Sequence, residues 1–140
     1  MKDILYKNEK IEVRKSPLHG YGVFAKEKIN KGEVLEECHY IVVTEGNTYE
    51  YRSTELEKNM FRFPKKDGEG KTFTIPLGYG CIFNSATSED TRNANWECDE
   101  ENNVYLFLSV KDISKDDEIL TYYGDGYWDK MKNTYNITIK

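Results

Sequence analysis

The chain has 140 residues, a length typical of one domain that buries a single hydrophobic core. Hydrophobic residues make up 38% of it and charged residues 32%, and no apolar run approaches the ~18 residues that a membrane-spanning helix needs. The formal net charge of −5 argues against nucleic acid as the main ligand, because phosphate binding needs a basic face. The same acidity would speed the encounter with a basic polypeptide, although it is equally an ordinary solubilising charge.

The first ten residues are charged throughout and predict no signal peptide, so we expect an intracellular protein. It would be cytoplasmic, or nuclear if the source or host is eukaryotic. The three cysteines are an odd count, lie far apart and form no CxxC pair. We therefore expect neither a disulfide framework nor a metal site.

The first third of the chain predicts strands. Residues 11–14 alternate apolar and polar side chains, as in a half-buried strand, and 16–22 carry turn residues. The stretch 23–43 predicts two or three short strands broken by a turn at 30–32. Within it, the apolar run 41–43 predicts a buried strand.

The remaining segments continue this pattern. Residues 44–60 are the best helical candidate, and 126–133 predict a terminal helical turn. Between them we expect a loop at 64–71. Residues 72–84 predict a strand, a glycine turn and a second apolar strand, followed by a polar loop over 85–95. A strand is expected at 103–110, and a turn followed by a short strand over 111–123. The chain has no repeat and no linker, which favours one mostly β domain of many short strands.

Several local features indicate possible sites. Gly20 and Gly22 flank Tyr21, a spacing that allows positive φ or close approach of main chain to a ligand, or simply a tight turn. In the strand at 103–110, alternation puts one apolar set on the same face: Val104, Leu106 and Leu108. Six acidic residues lie near predicted turns and are expected to be solvated: Glu33, Glu36, Glu37, Asp116, Asp117 and Glu118.

Four segments, taken together, resemble the motifs of SET domains. Residues 14–25 (RKSPLHGYGVFA) resemble the opening motif S-x-x-x-G-x-G-v-f-A, and residues 78–85 (GYGCIFNS) resemble the central motif F-x-N-H-S. Residues 92–94 (RNA) resemble the P-N-A that follows it, and residues 117–125 (DEILTYYGD) resemble the closing motif G-E-E-L-x-x-x-Y-G. Order and spacing fit over residues 11–128, and the chain is particularly similar to short stand-alone SET proteins of viruses and bacteria.

The resemblance implies a fold of small curved β-sheets with a C-terminal pseudoknot, in which the closing segment passes beneath a loop from the central motif. Residues 1–140 would form a single SET domain with a short variable insert at about 45–76 and a closing segment at 126–140. Cofactor and lysine would enter from opposite faces and meet in a narrow channel.

The resemblance also implies a function, namely an S-adenosylmethionine-dependent protein-lysine N-methyltransferase that needs no metal. Its partner would be a basic protein such as a histone tail, with no direct contact to nucleic acid or membrane, and a homodimer is plausible by similarity to the short viral type. One alternative is a weak or inactive SET-like module that binds a peptide. Another is a structural β domain without a small ligand, which composition alone would favour.

Site residues follow by matching motif positions. Tyr123 would be catalytic and would orient the neutral lysine amine. The substrate channel would be lined by Tyr21, Tyr105 and Thr121, with Tyr105 alternatively a packed core aromatic. The cofactor would be bound by Gly20, Tyr21, Gly22, Asn84, Ser85 and Trp128, of which Asn84 would meet its amino-acid end and Trp128 its adenine.

This chain departs from the family pattern at three places. Ser85 stands where the family usually has His, which would weaken cofactor binding. Arg92 replaces the Pro of the P-N-A motif, after a longer loop. No cysteine-rich tail follows Tyr123, so residues 126–140 or a second subunit would have to close the lysine channel.

Overall fold

The computed structural model describes residues 3–43, 61–64 and 71–124, and regular secondary structure within these ranges is entirely β. The strands in these ranges are β1 (Ile11–Lys15), β2 (Tyr21–Ala25), β3 (Val34–Val43), β4 (Phe61–Pro64), β5 (Lys71–Pro76), β6 (Asn84–Ser85), β7 (Ala94–Asp99), β8 (Val104–Ser109) and β9 (Glu118–Thr121). The described residues include no helix with the length and apolarity needed to cross a membrane. The prediction of a mostly β chain of short strands is confirmed.

The strands form two sheets. One has four strands in the order β1-β2-β9-β6, and the other has five in the order β4-β5-β3-β8-β7. The β6–β9 pair is parallel, and the remaining named pairs are antiparallel. A register shift between Val34 and Glu36 bends β3, which is the strand that joins β5 and β8. These short, bent strands produce the curled sheets of the fold.

The hydrophobic core joins the two sheets and supports the segment just before β6. Phe83 is fully buried and stacks on Phe107 of β8, with ring centroids 4.5 Å apart. Burial of each large apolar side chain contributes about 1.5–3 kcal/mol. The buried cluster consists of Ile11, Val23, Ala25, Ile29, Leu35, Cys38, Phe83, Ala94, Tyr105, Phe107, Ile113 and Ile119.

Strand β9 is hydrogen-bonded on both edges by the same stretch of chain. Ala86 N–H donates to the Thr121 carbonyl (2.7 Å), and Asn93 N–H donates to the Leu120 carbonyl (3.0 Å). Backbone groups of successive strand residues point to opposite edges, so Ala86 and Asn93 lie on opposite edges of β9. The loop between them therefore crosses β9, which is the pseudoknot that the resemblance implies.

The Asn93 side chain strengthens this crossing. Its Nδ2 donates to the Glu118 carbonyl (2.9 Å), and its Oδ1 accepts from Leu120 N–H (2.7 Å). One amide side chain thus bonds two backbone groups of β9, the Glu118 carbonyl and the Leu120 N–H.

The expectation that Glu36 is solvated is wrong. Its side chain is only 2% exposed; it accepts from Tyr79 N–H (3.1 and 3.2 Å) and pairs with Lys7 Nζ (3.1 Å). Burial raises the pKa of the Glu36 carboxyl, and the Tyr79 and Lys7 contacts oppose that rise. Local turn residues do not reveal this arrangement, because it depends on the N-terminal segment pairing with β3 through a Lys7–Glu36 bridge.

One burial prediction also needs correction. Ile41 and Val42 are 52% and 55% exposed, although the apolar run was expected to be buried, because β3 has left β8 there and pairs with β5. In β8, the face opposite to Leu106 and Leu108 is the more buried one. The buried residues of that strand are Val104, Tyr105, Phe107 and Ser109.

Two segments differ from the predicted elements. The expected polar loop 85–95 ends in β7, which starts at the buried Ala94 and pairs with β8. The second apolar strand expected within 72–84 is limited to β6, because a turn closed by Gly80 N–H to the Leu77 carbonyl (3.1 Å) precedes it.

The helical candidates 44–60 and 126–133 and the closing segment 126–140 lie outside the described residues. Of the insert predicted at 45–76, the described parts are β4 and β5. The single-domain assignment of residues 1–140 stays a prediction.

Replacing Asn93 with Ala should destabilise the protein by about 2–4 kcal/mol, because a β9 carbonyl and N–H lose their partners. Urea unfolding followed by circular dichroism measures this. Asn102→Ala is the matched control, since the Asn102 amide bonds only Asp99 in an exposed turn and should cost well under about 1 kcal/mol. Equal losses for the two variants would contradict the role of Asn93 in fastening β9.

Candidate functional site

Three parts of the chain converge on the side chain of Asn84, the first residue of β6. The two N–H groups of its Nδ2 are shared among three acceptors: the His19 carbonyl (3.1 Å), the Tyr21 carbonyl (3.1 Å) and Glu118 Oε2 (2.7 Å). His19 and Tyr21 belong to the segment that leads into β2, and Glu118 begins β9. The opening, central and closing motifs therefore meet at one amide nitrogen, which we call the Asn84 junction.

Glu118 is part of this junction, so the expectation that it is solvated is wrong. Its side chain is partly buried; Oε1 accepts from Ser16 Oγ (2.7 Å), and Oε2 accepts from Asn84. Strand periodicity places Glu118 on the face opposite Ile119. No sequence signal indicated that Asn84 lies on that face.

The backbone of Gly22 packs directly against the junction. A Cβ at this position would overlap with Glu118 Oε2 and would lie 3.0 Å from Asn84 Nδ2. Gly20 has φ +49° and would place a Cβ in open space. Glycine is thus required at the two positions for different reasons. At Gly22 the backbone approaches other atoms closely, and at Gly20 the backbone has a positive φ.

Tyr123 lies beside β6, just after the end of β9. Its hydroxyl donates to the Phe83 carbonyl, and its N–H donates to Ser85 Oγ (3.0 Å). Ser85 Oγ in turn donates to the Ala86 carbonyl (2.7 Å). The structure thus brings together Asn84, Ser85 and Tyr123 from the predicted site, while their roles in binding and catalysis stay predictions.

The two other tyrosines predicted for the lysine channel have contrasting environments. Tyr21 is 68% exposed at the start of β2. Tyr105 is fully buried, shares a hydrogen bond with the Thr74 hydroxyl and makes edge contacts with Tyr40 and Trp96. Burial raises the pKa of Tyr105, and the Thr74 contact opposes the rise. This packing matches the alternative given for Tyr105, and its channel role stays a prediction.

Thr121 is fully buried on β9, and its cross-strand partner is Ser85. Within the described part of the chain, Thr121 Oγ1 is the one buried side-chain oxygen or nitrogen without a hydrogen-bond partner. An unpartnered buried hydroxyl costs about 1–3 kcal/mol. Thr121 therefore occupies its place in the fold at an energetic cost.

The residues at the junction fit the cofactor that the resemblance implies. No group in the described ranges donates to Asn84 Oδ1, and the residue is 9% exposed. An amide oxygen suits an ammonium group, which S-adenosylmethionine carries at its amino-acid end. The bare backbone of Gly22 allows close approach from the same region. Trp128, predicted to pack on the adenine, lies outside the described residues.

The cysteines remain thiols. Burial raises the pKa of Cys38 to about 12 and the pKa values of Cys81 and Cys98 to about 11, so all three are protonated at neutral pH. Among the described residues, no three His, Cys, Asp or Glu side chains come together in an arrangement that would hold a metal ion.

Gly22→Ala should destabilise the protein by about 3 kcal/mol, because the new methyl group would push the Glu118 carboxylate away from Asn84. Gly20→Ala is the control: its Cβ has room, and only the positive φ costs about 1 kcal/mol. Denaturant unfolding of both variants checks the order. Equal losses of stability would mean that the Glu118 carboxylate can move away from Asn84 without lowering the free energy of unfolding.

Comparison with known proteins gives the family. A family model described as the SET domain matches residues 20–124. The histone-lysine N-methyltransferase of Schizosaccharomyces pombe that is specific for H3 lysine-37 is 25% identical over 118 residues, which are 84% of this chain and 76% of that protein.

Solved structures agree with this match. A Plasmodium falciparum candidate histone methyltransferase has a TM-score of 0.65 at 30% identity, covering 86% of this chain and 98% of that chain. The methyltransferase domain of human PR domain-containing protein 2 has a TM-score of 0.62 over 84% and 78% of the two chains, and at 17% identity it supports the fold alone. The match over residues 20–124 and the junction of the three motifs lead to one assignment: this chain belongs to the SET-domain family of protein-lysine methyltransferases.

Proposed function

We propose that this chain transfers methyl groups from S-adenosylmethionine to a lysine side chain of a basic protein. The observation that carries the proposal is the hydrogen bond from the Tyr123 hydroxyl to the Phe83 carbonyl. It places a phenol directly beside β6, one residue from the Asn84 junction. When bound, S-adenosylmethionine would supply a methyl group on a positively charged sulfur: the lone pair of a neutral amine would form the new N–C bond as the C–S bond breaks and the sulfur leaves as a neutral thioether.

Tyr123 would orient that amine as a hydrogen-bond acceptor. The Tyr123 hydroxyl donates its hydrogen bond to the Phe83 carbonyl. Its oxygen would therefore interact with a lysine N–H through a lone pair. Phe83 is itself fixed by burial and by stacking on Phe107, which keeps its carbonyl in place. The amine lone pair is then left for bond formation, and positioning supplies much of the rate.

The lysine must arrive neutral, since an ammonium group has no lone pair. Its ordinary pKa is ~10.4, and an apolar channel next to a positive charge lowers it, because both burial and like charge disfavour the ammonium. Each unit of this lowering corresponds to about 1.4 kcal/mol. The released proton leaves to solvent before transfer.

A basic substrate is supported by the net charge of −5 and by the names of the relatives, which are described as histone methyltransferases. We propose a histone tail or another lysine-rich protein. Labelled-methyl transfer to core histones and to a cell extract tests this substrate class. The homodimer and the intracellular location inferred from sequence stay predictions.

Tyr123→Phe should lower the rate of transfer at least about 100-fold while S-adenosylmethionine still binds, because the orienting oxygen is lost and the ring remains. Calorimetry and a labelled-methyl assay give the two values. Tyr79→Phe, which keeps the ring that lies under Lys7, is the matched control and should retain activity. A near wild-type rate for Tyr123→Phe would remove this residue from the catalytic role.

We further propose that the enzyme proceeds to di- or trimethyllysine, because Thr121, two residues before Tyr123, is smaller than the aromatic residue that often restricts the channel in this family. A small side chain leaves the amine room to rotate after each transfer. Mass spectrometry of a reaction run to saturation measures the product. Thr121→Val keeps the size and removes the unpartnered hydroxyl, so it should give the same products and no loss of stability. Accumulation of monomethyl product alone would contradict the proposal.

A further inference from the structure

The hydrogen bonds at the Asn84 junction determine which way the Asn84 amide faces. Three oxygen atoms surround Nδ2, belonging to the His19 carbonyl, the Tyr21 carbonyl and the Glu118 carboxylate. If the amide were flipped, Oδ1 would face three acceptors and lose every one of these bonds. The planar amide therefore presents Oδ1 away from the junction.

Glu118 makes the strongest of these three contacts. Its distance to Nδ2, 2.7 Å, is the shortest, and hydrogen bonds that involve a charged group are about twice as strong as neutral ones. The carboxylate is itself fixed, because Ser16 Oγ donates to its other oxygen (2.7 Å) and the space beside Gly22 has no Cβ. The two carbonyls belong to one turn of the chain, so Glu118 is the contact that ties the amide to β9.

We propose that Glu118 is a positioning residue for cofactor binding, which holds the Asn84 amide so that Asn84 Oδ1 accepts a hydrogen bond from the ammonium group of S-adenosylmethionine. The proposal rests on the proposed function for the identity of the ligand. Asn84 Oδ1 is an acceptor that no described residue uses, on a residue that is 9% exposed. An ammonium group is a strong donor that matches it.

The first test measures cofactor affinity by calorimetry. Glu118→Leu should weaken S-adenosylmethionine binding about tenfold, because the amide loses its strongest acceptor. Glu118→Gln should stay within about threefold of wild type, because the glutamine oxygen can accept from Asn84 Nδ2 and its nitrogen can donate to Ser16 Oγ. Rescue by the glutamine separates orientation of the amide from the negative charge and from general loss of stability.

The matched control is Glu33→Leu. The Glu33 carboxylate accepts from Lys10 Nζ (3.0 Å) and Asn30 N–H (2.5 Å), far from the junction in the sequence and with no bond to it. Glu33→Leu and Glu118→Leu should both lower the melting temperature. It should leave the affinity for S-adenosylmethionine within about twofold of wild type.

The second test needs no ligand. In the wild-type protein, the side-chain amide protons of Asn84 should resonate downfield and exchange slowly with solvent, as expected for donors bound to a carboxylate and carbonyls. Glu118→Leu should shift them upfield and speed their exchange, and Glu118→Gln should lie between. Amide resonances that are unchanged in Glu118→Leu would show that Glu118 does not hold Asn84, and the proposal would fall.

The outcomes separate the two levels of inference. If wild type binds S-adenosylmethionine and Glu118→Leu binds it equally well, the positioning role is overturned and the proposed function stands. If Glu118→Gln is as weak as Glu118→Leu, the charge and not the orientation of the amide matters, which also overturns the proposal. If wild type binds no S-adenosylmethionine, the proposed function fails, while the amide resonances still report whether Glu118 holds Asn84.

Discussion

The rest of the site depends on the way β9 is fastened from both edges by one stretch of chain. Ala86 reaches the Thr121 carbonyl on one edge, and Asn93 reaches Leu120 on the other with backbone and side chain. Because this stretch starts at Asn84, fastening β9 also brings the Asn84 amide to Glu118. A four-residue strand could not be stable alone, and burial of Ile119 together with these bonds keeps it in place.

The internal hydrogen bonds also determine the chemical character of the site. Asn84 Nδ2, the Ser85 hydroxyl and the Tyr123 hydroxyl all donate to oxygens of the protein itself. Among these three side chains, Asn84 is the one with an oxygen, Oδ1, to which no described residue donates. Such a site favours ligands that bring their own N–H donors, as both the ammonium group of a methionine-derived cofactor and a lysine amine do.

Local pattern predicted most strands, but it could not predict which polar residues are buried. Alternation in β1 and the turn around residues 30–32 are visible in short windows, since they depend on neighbours in sequence. Glu36 and Glu118 look like solvated turn residues, yet their partners Tyr79 and Asn84 lie 43 and 34 positions away along the chain. The motif resemblance located Asn84, Gly22 and Tyr123 without showing that Gly22 is required by the Glu118 carboxylate. Which face of β8 is buried, and how exposed Ile41 is, depend on the order in which the strands pair. That order is a property of the whole sheet.

Two buried polar side chains, on β9 and β3, cost stability. Thr121 buries a hydroxyl without a partner, and Glu36, whose pKa is raised by burial, holds the turn that leads to Phe83. A carboxyl whose folded pKa is raised favours folding below its unfolded pKa, and this contribution is lost as pH rises through the folded value. Above its folded pKa, the Glu36 carboxylate is therefore a net cost relative to a solvated carboxylate, despite Lys7. Residues whose burial lowers stability are expected where a functional site needs them. The hydrophobic core that joins the two sheets supplies the stability that offsets this cost. Glu36 accepts from Tyr79 N–H in the turn before Phe83, and the Phe83 carbonyl, which accepts the hydrogen bond from the Tyr123 hydroxyl, follows that turn.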